Sequence, residues 1–278
     1  MPELPEVETV VRQLDERLKG QKITAMTIFY PKMVKTDNTI FSESIIGQKI
    51  SGVERFGKYI LICLENKKVI RIHLRMEGKF YIVDTLVDES LEKHTHIIFH
   101  LDDGKYIKYH DVRKFGTMEC IDYHDNWHTE SKFATLGYEP WEKLCTPAFI
   151  FGRLQKSITP IKTFLLSQKT LVGLGNIYVD EVLFRAKIHP AQIAATLKES
   201  DAKMIKKQSE IVLRKAITLG GTTIRTYHNT FGIDGLFQNE LQVHLQKGKG
   251  CPICGTEIIK EKLAGRGTYY CPSCQTIK

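Results

Sequence analysis

Cys251-Pro252-Ile253-Cys254 and Cys271-Pro272-Ser273-Cys274 are two Cys-X-X-Cys pairs that lie 16 residues apart near the C-terminus. Two such pairs at this separation are typical of a structural zinc site, in which four thiolates complete a tetrahedral shell. A disulfide or a redox pair is the alternative, which we favour less because the chain shows no secretory signal. The sequence therefore predicts a small C-terminal module that holds one structural Zn2+ through Cys251, Cys254, Cys271 and Cys274.

The segment between the two cysteine pairs contains Gly265-Arg266-Gly267. Glycines on both sides of an arginine suit the tip of a β-hairpin, where the guanidinium can bind a phosphate. The alternative is a solvated arginine on an ordinary turn.

The charge of the chain is uneven as well as positive. The 278 residues carry a formal net charge of +8, and residues 153–190 and 241–278 each contain six Lys/Arg against two acids. Such segments favour a polyanionic partner, nucleic acid first, although a merely basic soluble protein is the alternative. No run of about 18 apolar residues is present. We therefore expect a cytosolic protein without a membrane segment, in which Cys63, Cys120 and Cys145 are buried as small hydrophobes.

The N-terminal stretch Pro2-Glu3-Leu4-Pro5-Glu6 directly follows Met1. If Met1 is removed, the Pro2 nitrogen becomes a secondary amine whose pKa is roughly 7.7–8. Such an amine can attack an aldehyde-like carbon and form an iminium, and Glu3 and Glu6 supply carboxylates for proton transfer. The alternative is a simple helix start. Pro5 and the apolar periodicity that follows it predict a helix over residues 5–20, which does not account for Pro2 and Glu3.

Apolar and polar residues alternate over much of the stretch from residue 23 to residue 121, which predicts β-strands. The predicted strands span residues 23–30, 58–64, 69–74, 80–83, 96–101, 106–109 and 117–121. Successive strands without intervening helices favour an antiparallel sandwich or barrel, against which the first helix packs.

Three short stretches at the ends of these strands draw attention: Gly57-Lys58-Tyr59, Arg75-Met76-Glu77-Gly78 and residues 110–116. Lys58 can be a charge at a strand edge, and Met76 and Phe115 can be core residues. The alternative is that Met76, Arg113 and Phe115 enter a stack of bases. Proteins that insert side chains between bases use apolar residues and arginine in turns.

From about residue 140 the pattern becomes helical. The predicted helices span residues 147–156, 160–168, 176–186 and 201–219. Between the second and the third lies Gly173-Leu174-Gly175-Asn176, in which we expect Asn176 to be the N-cap and the N–H groups to be free to bind a phosphate. A plain helix–helix connection is the alternative. Residues 220–235 are predicted to form a functional or mobile loop.

Together these motifs resemble the bacterial formamidopyrimidine-DNA glycosylases. The matching pieces are residues 2–8, 57–59, 73–76, 111–116, 173–178 and the cysteine module with Arg266. The resemblance implies an α+β fold with an N-terminal antiparallel β-sandwich and a packed helix, a helix-two-turn-helix domain and a C-terminal zinc-ribbon hairpin. The corresponding domains are 1–135, 136–240 and 241–278. It also implies a monomer that acts on double-stranded damaged DNA in the bacterial cytosol.

What the resemblance implies for chemistry is a bifunctional DNA glycosylase and AP lyase of base-excision repair. It would excise oxidised purines, such as 8-oxoguanine and formamidopyrimidines, and nick the abasic site by β,δ-elimination. Pro2 would be the Schiff-base nucleophile and Glu3 the proton donor, with Glu6 in support. Lys58 would be the proton donor of the β-elimination and Arg266 that of the δ-elimination.

The resemblance also implies a set of DNA contacts. Asn176, with Lys58 and Arg266, would bind the phosphates beside the lesion. Met76, Arg113 and Phe115 would fill the gap left by the extruded nucleotide. His94, Lys156 and Lys162 would contact the DNA, and Lys162, Glu77 and residues 222–227 would lie near the base pocket.

Two rival functions remain open at this stage. Endonuclease VIII-like enzymes share Pro2, Glu3, the lysine and the finger but prefer oxidised pyrimidines; Leu4 and the set Met76, Arg113 and Phe115 favour the purine activity. A zinc-ribbon DNA-binding regulator would bind DNA without cutting it.

Overall fold

A computed structural model describes residues 1–86, 93–222 and 235–277 of the chain. Within these ranges the chain divides into two compact units. The first contains Met1–Pro2, Glu6–Trp127 and residue 235; the second contains Glu3–Pro5, His128–Thr222 and residues 236–277. The domain boundaries at 135/136 and 240/241 stay predictions.

Two four-stranded antiparallel sheets form the body of the first unit. The strands are β1 (Ile23–Ile28), β2 (Ile50–Phe56), β3 (Tyr59–Leu64), β4 (Lys68–His73), β5 (Lys79–Val83), β6 (Thr95–Leu101), β7 (Tyr106–His110) and β8 (Thr117–Asp122). One sheet has the order β1-β6-β7-β5 and the other the order β2-β3-β4-β8. Buried apolar side chains from both sheets form a single core, so the predicted sandwich is confirmed.

Helix α1 (Leu4–Leu18) presents the predicted apolar stripe to this core. Val7, Val10, Leu14 and Leu18 are all buried there. The helix ends before Gly20, whose φ of 89° suits a glycine. Leu4, its first residue, instead belongs to the apolar core of the second unit.

In the first unit, helix α2 (Asn38–Ile45) and strand β2 were not predicted from the sequence. Helix α2 spans only eight residues and buries only Phe41 and Ile45. Two buried positions are too few to show the 3.6-residue periodicity that predicts a helix. Its start is nevertheless well defined, because the Asp37 carboxylate accepts hydrogen bonds from the N–H groups of Thr39 and Ile40. In β2 the register with β3 shifts between Ile50 and Gly52, which interrupts the alternation that marks a strand.

The second unit is mainly helical, as predicted. Its helices are α3 (Pro147–Leu154), α4 (Ile161–Leu166), α5 (Asn176–Arg185) and α6 (Glu199–Thr218). Helix α5 is the central one, because every side chain from Tyr178 to Phe184 is buried. No helix among the residues that the structure describes is long and apolar enough to cross a membrane.

The C-terminal module contains the predicted hairpin, with strands β9 (Ile259–Leu263) and β10 (Arg266–Tyr270). Leu263 pairs with Arg266, which leaves Ala264 and Gly265 as a two-residue turn. Both turn residues have positive φ, at 46° and 79°, as a tight hairpin turn of this length requires. Arg266 is exposed at the tip.

Candidate active site

The Glu3 side chain lies at the N-terminus of helix α5. Its carboxylate accepts hydrogen bonds from the N–H groups of Gly175 (2.5 Å), Ile177 (2.9 Å) and Tyr178 (3.4 Å), and only 2% of the residue is exposed. These N–H groups have no partner inside a helix, and the positive end of the helix dipole stabilises a negative charge. The second unit therefore fixes the position and orientation of Glu3.

Two glycines make this arrangement possible. A Cβ atom on Gly175 would lie 2.3 Å from the carboxyl carbon of Glu3, and one on Gly173 would lie 2.4 Å from a methyl carbon of Leu4. Gly173 also has a φ of 100°, which strains other residues. The two glycines of the Gly-Leu-Gly sequence thus allow Glu3 and Leu4 to pack directly against the backbone of this turn.

The role predicted for Asn176 as the N-cap is wrong. Gly175 is the N-cap and Asn176 is the first helical residue, whose side-chain amide donates to the Gly267 carbonyl at 2.9 Å. The prediction of free N–H groups at this turn is wrong for Gly175, Ile177 and Tyr178, because Glu3 takes the place expected for a phosphate. A DNA contact by the Asn176 side chain stays a prediction.

Lys162 lies at the centre of a second buried network. Its ammonium donates to the Asp180 carboxylate at 2.7 Å and to the Gly267 carbonyl and the Thr268 hydroxyl, each at 3.0 Å. Burial lowers the pKa of Lys162, and the carboxylates of Asp180 and Glu3 oppose that effect. A direct DNA contact by Lys162 stays a prediction; what the structure shows is a lysine that binds the hairpin.

Asp180 joins three parts of the second unit. Besides Lys162, its carboxylate accepts the N–H of Tyr269 at 3.3 Å and lies 2.8 Å from Nδ1 of His244. The residues that follow Arg266 in β10 are consequently held by α4 through Lys162 and by α5 through Asn176 and Asp180. Arg266 thus stands on a hairpin tip whose base is fixed by charge-assisted hydrogen bonds.

Asp180 and Glu181 are functional-site residues that were not predicted from the sequence. Glu181 is fully buried, and its carboxylate accepts the N–H groups of Gln242, Val243 and His244. Burial raises its pKa, and these N–H groups oppose the increase. A signal was present, because these are the only two acids in the segment 153–190, which has six basic residues, and they stand between apolar residues 177–179 and 182–184. Carboxylates in such a place require buried partners.

In the first unit, the structure brings Met76, Arg113 and Phe115 together. The Arg113 guanidinium lies 2.8 Å from the Met76 sulfur and 4.7 Å from the centre of the Phe115 ring. Phe115 is 51% exposed, so its ring is accessible for contacts outside the protein. The turn predictions are confirmed, whereas insertion into DNA stays a prediction.

The other predicted catalytic residues of the first unit lie in buried positions. Pro2, Glu6 and Lys58 are all buried, and Met1 is exposed. Lys58 precedes strand β3 and adds to the positive potential at His73 in the neighbouring strand. Burial, with the charges of Arg75 and Lys58, lowers the pKa of His73 to about 3, so His73 is neutral at physiological pH. The catalytic roles of Pro2, Glu6 and Lys58 stay predictions.

The remaining predicted DNA contacts are dispersed within their own units. The His94 ring lies 5.5 Å from the His110 ring in the first unit. Lys156 is exposed just after α3 in the second unit. Glu77 is half-buried in the turn with Met76, and Thr222 is buried. Residues 223–227 of the predicted lesion loop lie outside the described residues.

The four cysteines of the C-terminal module converge. Their Sγ atoms lie within 4.8 Å of one another, with separations that include 3.4, 3.5 and 3.9 Å. Tetrahedral coordination with Zn–S bonds of about 2.3 Å places the sulfurs about 3.8 Å apart. Donor set and geometry both fit Zn2+. Four thiolates complete the shell of such an ion, so its role is structural.

Comparisons with known proteins cover almost the whole chain. Family models match in order: the formamidopyrimidine-DNA glycosylase N-terminal domain at residues 1–118, the H2TH domain of the same enzymes at 136–228, and the zinc finger found in FPG and IleRS at 248–277. The chain belongs to the formamidopyrimidine-DNA glycosylase family. Both the resemblance read from the sequence and the predicted zinc cofactor are thereby confirmed.

Relatives in the formamidopyrimidine-DNA glycosylase family match from end to end. The enzyme of that name from Streptococcus pneumoniae is 47% identical over 277 residues, and that from Bacillus cereus 45%, each alignment covering 99% of both chains. A Lactococcus lactis variant, solved in complex with DNA containing Fapy-dG, is 43% identical with a TM-score of 0.90 over 99% of this chain and 100% of that one. A MutM structure in complex with DNA containing carbocyclic 8-oxo-G has the same identity and coverage and a TM-score of 0.89.

Proposed function

We propose that this protein is a bifunctional DNA glycosylase and AP lyase that removes oxidised purines, including 8-oxoguanine and formamidopyrimidines, from double-stranded DNA. The family to which the chain belongs supports the coarse function, a DNA-repair glycosylase. The observation that carries the finer proposal is the fixed Glu3 carboxylate, which directly follows Pro2 in the chain. The resemblance further leads us to expect a monomer that works in the cytosol.

The first chemical step uses the Pro2 nitrogen after Met1 has been removed. Its lone pair attacks C1′ of the extruded nucleotide, and the glycosidic bond breaks so that the base leaves with the electron pair. The new nitrogen–carbon bond requires the amine to lose its proton. We assign the acceptance of that proton to Glu3, because its carboxylate belongs to the residue that directly follows Pro2 in the chain.

Glu3 then returns the proton to the ring oxygen of the sugar. The C1′–O4′ bond breaks as that proton is transferred, and the nitrogen lone pair forms the C1′ iminium. The negative charge that remains on Glu3 stabilises this cation, and Glu6 adds a second carboxylate to the site. Glu3→Gln should therefore slow base release more than cleavage at a preformed abasic site.

Strand cleavage follows from the acidity that the iminium gives to the C2′ proton. Loss of that proton breaks the bond from C3′ to the 3′ phosphate, and a second elimination releases the 5′ phosphate. We assign proton donation in the first elimination to Lys58 and in the second to Arg266. Hydrolysis of the remaining imine frees Pro2 and releases the sugar as an unsaturated aldehyde.

DNA binding would divide between phosphate contacts and gap filling. Lys58, Asn176 and Arg266 would bind phosphates near the lesion, with further contacts from His94, Lys156 and Lys162. Met76, Arg113 and Phe115 would occupy the space of the extruded nucleotide. Zn2+ would hold the module that carries Arg266 and take no part in the reaction.

Incision of defined duplexes tests the proposal. Protein lacking Met1 is incubated with duplexes containing 8-oxoguanine, formamidopyrimidine, thymine glycol or an abasic site. We expect base release and β,δ-products with the two purine lesions, and cleavage of the abasic duplex. Preference for thymine glycol would instead favour an endonuclease VIII-like activity, and binding without incision of any duplex would favour a regulator.

A further inference from the structure

Tyr109 occupies a central position beneath the turns that carry Met76, Arg113 and Phe115. It lies in strand β7, is fully buried, and pairs with Phe80 of strand β5, whose ring centre is 5.1 Å from its own. Its ring thus has a fixed place in the sandwich core.

Two glycines approach the Tyr109 hydroxyl from different turns. Gly78 ends the turn that carries Met76, and Gly116 ends the turn that carries Arg113 and Phe115. A Cβ atom would lie 2.2 Å from the hydroxyl oxygen if built on Gly78 and 1.8 Å if built on Gly116. Only a hydrogen atom fits at either position, so both turns rest against the same oxygen.

The second turn is also stiffened from within. The buried Asp111 carboxylate accepts the N–H of Arg113 at 3.0 Å and the N–H of Gly116 at 2.7 Å. At their outer ends the two turns meet where the Arg113 guanidinium contacts the Met76 sulfur. The separation of the turns is therefore set at their base by Tyr109, Gly78 and Gly116.

We propose that Tyr109 is a positioning residue whose hydroxyl, clasped between Gly78 and Gly116, sets the spacing of the two turns so that Met76, Arg113 and Phe115 act as one preassembled wedge. This inference rests on the proposed function, because the wedge fills the gap left by an extruded nucleotide. Tyr109 is buried and acts only through the residues of the two turns.

A suppressor experiment tests the spacing. Gly116→Ala should displace the second turn and slow excision of paired 8-oxoguanine about tenfold or more, since extrusion requires unstacking. Cleavage of a preformed abasic site should stay within about twofold, because no base has to be released. Adding Tyr109→Phe removes the oxygen at 1.8 Å and leaves the nearest ring carbon at 2.9 Å, a contact that still requires a small shift, so the double variant should recover part of the lost excision. Gly78→Ala should impair excision in the same way, but its Cβ would also lie 2.8 Å from the backbone oxygen of Leu74, so Tyr109→Phe should restore less activity there.

Gly152→Ala is the matched control, because no atom lies within 4 Å of the added Cβ. Thermal melting identifies any variant that has lost its fold; if Gly116→Ala has done so, the relative losses of Gly78→Ala on the two substrates decide. Fluorescence of 2-aminopurine beside the lesion reports unstacking even without cleavage, so failure of the proposed function is distinguishable from failure of this inference. Equal losses on both substrates, or no recovery when Tyr109→Phe is added to Gly116→Ala, would overturn the role of Tyr109.

Discussion

The Lys162 ammonium lies 2.7 Å from the Asp180 carboxylate, and the two side chains are 1% and 0% exposed. A buried ion pair of this kind contributes little net stability, but loss of one partner leaves an uncompensated charge. This pair also donates to and accepts from residues 267–269 of the hairpin. The effect of this pair on the stability of the protein and its effect on the position of the hairpin can therefore be separated experimentally.

Asp180→Asn should destabilise the protein by about 3–5 kcal/mol, because Lys162 then lies buried without its counter-charge. Lys162→Met combined with Asp180→Asn removes both charges and should be more stable than the single variant. The double variant nevertheless lacks the hydrogen bonds from Lys162 to the hairpin. We therefore expect it to bind lesion DNA more weakly than the unmodified protein does. Urea unfolding and fluorescence anisotropy with labelled duplex measure the two effects.

Asp125→Asn is a suitable control, since that acid is exposed on the first unit. Recovery of both stability and DNA affinity in the double variant would show that the pair does not position the hairpin.

Local patterns in the sequence predicted much of this molecule, and long-range polar partners explain what those patterns missed at the candidate site. The apolar stripe of α1, most of the strands and the cysteine spacing each depend on residues close in sequence. The hydrogen bonds between Glu3 and the N-terminus of α5 join residues more than 170 positions apart. A local periodicity in the sequence cannot predict such a pair. The N-cap role predicted for Asn176 was wrong for this reason. Its residue type suits an N-cap, but the N–H groups at this end of the helix bind the carboxylate of Glu3, which is remote in sequence.

Removal of one zinc ligand should release the metal and disable the module. Cys254→Ser should lower the zinc content to well below one ion per chain and abolish tight DNA binding, because metal binding and folding are coupled in such modules. Cys120→Ser, outside the cluster, should retain both. Metal analysis and anisotropy provide the measurements; zinc loss with unchanged DNA affinity would remove the module from the DNA-binding surface.

The exposed Arg266 allows a charge-matched test of phosphate binding. Arg266→Gln and Lys262→Gln each remove one positive charge from the same hairpin, at the tip and on strand β9 respectively. If Arg266 neutralises one phosphate, its loss should reduce the slope of log K against log salt by about 0.9, whereas loss of Lys262 should leave it nearly unchanged. Titrations of undamaged duplex at several salt concentrations measure the slopes, and equal slopes for the two variants would contradict the contact.

His73 should make the first unit sensitive to mild acid. Its folded pKa of about 3 lies below the ordinary value of 6.5, so the unfolded chain takes up the proton first as the pH falls. The contribution of His73 to the free energy of unfolding is complete above pH 6.5 and is lost progressively toward pH 3. At pH 5.5 the loss is about 1.4 kcal/mol. His73→Asn keeps an acceptor for the Arg75 N–H, which now bonds Nδ1, and should lose less stability between pH 7.5 and 5.5.

Tryptophan fluorescence can follow this effect in the first unit alone. Trp127 belongs to the first unit and Trp141 to the second, so urea unfolding is followed in a Trp141→Phe background. Zinc content is checked at each pH, because acid also protonates thiolates. Parallel pH profiles for the two proteins would exclude His73 as the cause.

The covalent step gives the most direct prediction, because it depends on a single nitrogen. With Met1 removed, the Pro2 amine should form an iminium with lesion DNA, and borohydride should trap a one-to-one adduct that peptide mapping places on the N-terminal residue. With Met1 retained, the same nitrogen is an amide without a nucleophilic lone pair. Protein made while methionine aminopeptidase is inhibited should thus bind a duplex containing a tetrahydrofuran site but neither trap nor cut a lesion. Pro2→Gly keeps an amine at the same place and should show weaker trapping. Full activity with Met1 in place, or an adduct that maps to Lys58, would overturn the assignment of Pro2 as the nucleophile.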